Sequence, residues 1–144
     1  MKARGFVAAV SLVLISVSGC SSGPPGLPDR AAPTVKAEEA RIAALLGADT
    51  SILGEPGVCT VRLLGQQSGA SFVWALCVVT GPTGAAASLP LRVDGSKVVK
   101  PQDGEAYADS VRTMFPEDLA ERILEDQGAP ELRPSAVPPS WPAG

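Results

Sequence analysis

The sequence predicts an α+β domain: a small antiparallel four-stranded meander, an N-terminal helix, and a bent C-terminal helix pair packed on the sheet, held by one disulfide. Three observations carry this. Apolar residues recur at helical spacing near both ends of residues 34–127, the stretch able to bury a core. Between them lie β-rich segments separated by turn signals. Two cysteines, Cys59 and Cys77, stand at equal distances from residue 68.

The first helix is expected over 34–46. Thr34 is a candidate cap, Val35, Ile42, Leu45 and Leu46 form one stripe, and Gly47 is placed as a stop. Glu38, Glu39 and Arg41 fall largely on the opposite, solvated side. Strands are expected over 58–64 and 71–79, with a polar turn over 65–70. Two more, over 89–93 and 96–100, flank Asp94-Gly95, a strong two-residue hairpin signal. Pro90 lacks a backbone donor, so it marks an exposed edge or a bulge. Asp103 is a candidate cap for the next helix, whose apolar face is Tyr107, Val111, Met114 and Phe115. Pro116 interrupts that run and suits the first turn of a new helix. Leu119, Ile123 and Leu124 continue the face toward Gly128.

Folding a hairpin at residue 68 sets a register. Cys59 falls opposite Cys77, Val61 opposite Ala75, Leu63 opposite Val73, and Arg62 opposite Trp74 on the other face. Neighbouring antiparallel strands give the Cα separation a disulfide requires. Closing a loop of this size contributes roughly 3 kcal/mol in the chain-entropy model. The competing reading is a redox dithiol, but there is no C-x-x-C and no basic residue adjoins either cysteine. Two thiols without histidine do not close a tetrahedral metal shell, so no metal or other cofactor is expected. Arg62 and Trp74 are read as a surface cation–π pair or as an exposed recognition patch.

The composition narrows function by exclusion. The 144 residues hold 12 Lys+Arg, 15 Asp+Glu, a net charge of −3 and no histidine. Imidazole acid–base chemistry is therefore unavailable. A slightly acidic chain offers no basic face for phosphates, so nucleic acid is not an expected partner.

The N-terminus reads as an address. Lys2 and Arg4 precede a mostly apolar, uncharged run over 5–17, and Ser18-Gly19-Cys20 follows. This is the order of a secretory signal, and the run is shorter than the roughly 20 residues a membrane span needs. Val17-Ser18-Gly19-Cys20 resembles the lipobox of bacterial lipoproteins. That resemblance implies cleavage before Cys20 and attachment of a diacylglycerol to its thiol. It implies a partner in the membrane itself, reached through the N-terminal lipid, with the domain on the extracytoplasmic face. Removing residues 1–19 takes Lys2 and Arg4 with it and moves the net charge to −5. An acidic body is not drawn to anionic lipid, so the acyl chains are the attachment. The Cys59–Cys77 hairpin, the Trp74-Ala75-Leu76-Cys77 segment and the Phe115-Pro116-Glu117-Asp118 helix start also look like small lipoproteins of high-GC Gram-positive bacteria with no assigned activity.

The resulting organisation is a signal over 1–19, a lipidated cysteine and Pro/Gly-rich tether over 20–33, one domain over 34–127, and a Pro-rich irregular tail over 128–144. The tether is expected to be extended, with a reach of roughly 40 Å at most. The tail is expected to fray, the alternative being that Trp141 folds back onto the domain. Carboxylates occur as the neighbours Glu38-Glu39, Glu117-Asp118 and Glu125-Asp126, which diverge by about 100° on a helix and form no evident acid–base pair. No enzyme is expected. The leading expectation is a non-catalytic binding or envelope-accessory lipoprotein whose partner is another envelope protein or a cell-wall component. Arg62, Trp74, Tyr107 and Phe115 are its candidate binding surface. The alternative is a carrier or sensor holding a small apolar ligand between sheet and helices around Tyr107, Met114 and Phe115.

Overall fold

A computed structural model describes residues 26–125 and 129–142. The expected signal, the Cys20 motif and the start of the expected tether lie outside them. The described chain forms a helix, a four-stranded antiparallel sheet and two further helices, matching the α+β expectation.

Helix α1 (Pro33–Ala48) begins before Thr34, which is not its cap. Pro33 takes the first turn, where a missing N–H leaves nothing unsatisfied, and Ala32 stands at the N-cap without a side-chain bond. Asp29 orders the entry to the helix, since its Oδ1 takes the Ala31 N–H at 2.9 Å and its carbonyl takes the Ala32 N–H at 3.1 Å. Gly47 lies inside the last turn rather than beyond it. It is there for close approach, because a Cβ would sit 2.8 Å from the carbonyl oxygen of Gly57.

The strands are β1 (Gly57–Gln67), β2 (Ala70–Val79), β3 (Ala86–Asp94) and β4 (Lys97–Val99), in the order β1-β2-β3-β4. All four cross-strand pairs expected from folding at residue 68 occur, including Cys59 against Cys77. The two sulfurs are bonded at 2.02 Å across a Cα separation of 4.1 Å. The register then slips between Leu63 and Gly65, so that Gly65 rather than Leu64 opposes Phe72. This β-bulge moves the turn to Ser68-Gly69, whose φ values of 52° and 81° suit a tight two-residue hairpin. Residues 65–70 are therefore mostly strand, not the expected turn. The second hairpin turns at Gly95-Ser96, one residue beyond Asp94-Gly95, since Asp94 pairs with Lys97. Pro90 sits opposite Trp74, and β4 pairs only with Arg92 to Asp94, so the outer side of β3 at Pro90 is an edge.

Both faces of the sheet are covered, and β2 is buried along its whole length. Under α1 lie Val61, Leu63, Val73, Ala75, Leu91 and Val93. The opposite face presents Leu64, Phe72, Trp74 and Leu76 to α2 (Tyr107–Met114) and α3 (Glu117–Glu125). A 3₁₀ turn over Gly104–Ala106 leads into α2, and Asp103 makes no side-chain cap there. The bend between α2 and α3 falls at Phe115, which is extended at φ −110°, ψ 153°. Pro116 stands one position outside α3, and its carbonyl accepts the Ala120 N–H at 2.8 Å.

The segments expected to be loose at the two ends are packed together. Leu132, in a 3₁₀ turn over Pro130–Leu132, is fully buried, and Trp141 packs against the same cluster. The tail is irregular, as its prolines require, but it folds back. Leu27, just before α1, joins that cluster too. Arg30 ties the two ends across about a hundred residues of sequence. Its guanidinium donates to the carbonyls of Pro130, Glu131 and Arg133 at 3.1, 3.1 and 2.7 Å and to Ser135 Oγ at 2.6 Å. Residues 27–32 are thus a docked strap rather than an extended tether. Among the described residues no helix is long and apolar enough to cross a membrane.

Candidate functional site

The residues singled out as a binding surface are mostly interior. Arg62, Trp74 and Phe115 are 1%, 3% and 4% exposed, and Tyr107 is half-buried. The physical reason is that the second sheet face, expected to be partly open, is roofed by α2, α3 and the returning tail. Arg62 is held from two sides. Its Nη2 donates to the Pro28 carbonyl at 2.8 Å, and its Nη1 stands 3.6 Å from Glu39 Oε1. Burial pushes the guanidinium below its ordinary value, neighbouring Arg30 adds to that, and Glu39 opposes it. The same Glu39 oxygen accepts the Leu63 N–H at 2.8 Å, so this carboxylate closes the β1 edge and is not part of a solvated face.

Trp74 has a cation over its ring, but the cation is Arg133, not Arg62. The Arg133 guanidinium carbon lies 4.2 Å from the ring centroid. Trp74 Nε1 donates to Ser88 Oγ at 3.0 Å, and Arg133 Nη1 donates to the same oxygen. This trio joins the tail to β2 and β3. Burial lowers the Arg133 guanidinium and raises the Tyr107 hydroxyl, each charge partly offsetting the other's shift. Nothing in the sequence local to Trp74 announces Arg133, which comes from 59 positions away. The available signal was compositional: Leu27 and Leu132 are the lone leucines of their proline-rich segments.

The interior around Met114 and Phe115 is also filled. Phe115 packs on Phe72 with ring centroids 5.5 Å apart at an interplanar angle of 49°. A concavity of about 640 Å³ lies instead at the turn end of the first hairpin. Its apolar walls are Leu27, Leu64, Phe72, Pro116 and Leu119, and Gln66, Gln67, Asp118 and Arg122 give it a polar rim. Arg122 is ion-paired with Glu131 at 3.6 Å. The bulge positions one wall by placing Gly65 against Phe72. The break at Pro116 positions the other by turning α3 away from α2. Depressions of about 270 and 300 Å³ touch Phe115 and Tyr107 respectively.

The groove's chemistry is that of an apolar slot with hydrogen-bonding ends. Glu117 and Asp118 occupy the first turn of α3, where they suit the helix dipole. Glu38 is engaged elsewhere, accepting Arg41 at 2.8 and 2.9 Å and the Ser71 hydroxyl at 2.8 Å. Set against known proteins, the chain matches no family model, no curated protein and no solved structure.

Proposed function

We propose that the chain is a membrane-anchored extracytoplasmic lipoprotein, lipidated on Cys20, whose folded part is a non-catalytic binding or envelope-accessory module. The observation that carries this reading is the division of its three cysteines. Cys59 and Cys77 are joined in a buried cross-strand disulfide, which belongs to an oxidising compartment. Cys20 alone remains, and it ends the charged, apolar and small-residue series of a lipobox. With no histidine in the chain, and with Glu38, Glu39, Asp94, Asp109, Glu121 and Glu131 held in ion pairs, the reading assigns no reaction to the domain. The membrane is the partner reached through lipid, and an envelope protein or wall component is the partner reached through the domain.

A second reading, an apolar-ligand carrier or sensor, is favoured by the groove beside Leu27. Its volume falls within the range of about 300–1,000 Å³ typical of small-molecule sites. It differs from the sequence expectation in location, lying at Phe72 and Leu119 rather than at Tyr107 and Met114.

The test is intact-mass analysis of the protein isolated from host membranes. The expected species begins at Cys20 and carries acyl chains, with Cys59 linked to Cys77 in non-reducing peptide maps. A soluble species with an unmodified Cys20 thiol overturns the anchoring. Crosslinking on intact cells then separates the two uses, a protein partner favouring the module and recovery with a co-purifying lipid favouring the carrier.

A further inference from the structure

We infer that the groove receives one acyl chain of the protein's own Cys20 lipid, an inference that rests on the lipoprotein reading above. Four observations point to this occupant. The described chain begins on the groove itself, with Gly26 and Leu27 forming part of its wall. Cys20 lies six residues upstream of Gly26. At about 3.5 Å per residue its thiol cannot stray farther than roughly 20 Å from that wall. A ligand on so short a connection meets the site at an effective concentration in the millimolar range, far above any free lipid.

The lining matches a hydrocarbon, since Leu27, Leu64, Phe72, Pro116 and Leu119 supply apolar surface along its length. Gln66, Gln67 and Asp118 at the rim offer donors and acceptors where the ester end would emerge.

Gly65 gives the most specific indication. It has no left-handed φ, and a Cβ there would meet only Phe72 Cδ2, at an ordinary 3.9 Å. Neither backbone conformation nor close packing demands glycine at this bulge position. What its missing side chain does provide is open volume in the groove wall. A site emptied by a residue that nothing else requires is one built to be filled. Seating one chain in the groove leaves the remaining chain or chains of the anchor in the bilayer and fixes the orientation of the domain on it.

The experiment uses the full chain, produced in cells fed a photoreactive diazirine fatty acid, irradiated in membranes, digested and mapped. The expected result is an intramolecular crosslink from the Cys20 lipid to the tryptic peptides 63–92 and 113–122. Gly65→Trp fills the groove and Leu119→Glu places a charge in it. Each should cut that crosslink by about tenfold, the change expected when two buried methylenes are excluded. Retained Cys59–Cys77 linkage and unchanged melting of either variant show that its fold persists. A lipidated Cys20 whose crosslinks fall only on phospholipid, or are unaltered in both variants, overturns the groove assignment while leaving the anchor intact. Absence of lipid on Cys20 overturns the anchor and this inference together.

Discussion

The two faces of the sheet are built on different principles. On one, a single sixteen-residue helix, α1, lays Val35, Ile42 and Leu46 across β1 and β2, and the disulfide staples those strands beneath it. On the other, α2, α3, the strap at Leu27, the turn at Leu132 and Trp141 each contribute one piece of the cover. The first face is made of local periodicity plus one covalent bond. The second is made of contacts between chain ends, held by the stacked Arg133 and by the four hydrogen bonds of Arg30. The comparison teaches that burial need not follow regularity, because Leu132 in an irregular segment is as fully buried as Ile42 in a long helix.

Paired truncations put that equivalence at risk with the largest expected effect. Ile42→Ala and Leu132→Ala should each cost about 2–5 kcal/mol in urea unfolding, as large-to-small changes at closed sites do. A Leu132→Ala variant indistinguishable from wild type would show that the tail covers the sheet without contributing to it. Arg62 sharpens the comparison next, since it is a charged side chain in an apolar layer and its Nε finds no acceptor among the described residues. Arg62→Met keeps the volume but leaves the Pro28 carbonyl without its donor and Glu39 without its cation, so it should lose about 1–3 kcal/mol. Arg62→Ala should lose about 2 kcal/mol more than that, because it also leaves a void under the strap. Equal losses in the two variants would place the energy in the charge rather than the packing.

The smallest effect belongs to the helical face. Arg41 holds the Glu38 carboxyl below its ordinary value through hydrogen bonds, burial opposes this, and the Ser71 hydroxyl assists Arg41. A depressed carboxylate stabilises the fold above its unfolded value and loses that contribution as pH falls through the folded one. The stability gap between wild type and Glu38→Gln should therefore be widest near pH 7 and narrow below about pH 4. A gap constant across that range would mean that the carboxylate's charge is not what Ser71 and Arg41 recognise.

What the sequence made legible follows the same division. The symmetry of Cys59 and Cys77 about residue 68 was enough to pair Arg62 with Trp74 and Val61 with Ala75, because strand pairing is a matter of counting. The count ran past Leu63 without showing the bulge, since one inserted residue leaves both flanking patterns intact. Thr34 has the residue type of a cap, whereas the helix starts one residue earlier at Pro33 behind an Ala32 N-cap that makes no side-chain bond. Arg62 and Trp74 were read as exposed because an arginine on a strand is usually on the wet side. The roof formed by α2, α3, the strap and the returning tail makes both interior, and a contact between Arg30 and Arg133 has no signature at either position. The groove was illegible for the same reason, its walls coming from the strap, the bulge and α3 together. Its one local trace was a glycine at residue 65 that a strand would not otherwise choose.

The docked strap also sets a standoff height. If Cys20 is the point of attachment, as proposed above, the separation that counts is the six residues from Cys20 to Gly26, and not the longer stretch to the start of α1. Under that proposed anchoring the domain would ride within roughly 20 Å of its attachment point, about half the height that a fully extended 20–33 segment would permit. Any tension on the anchor reaches Arg30 before it reaches α1.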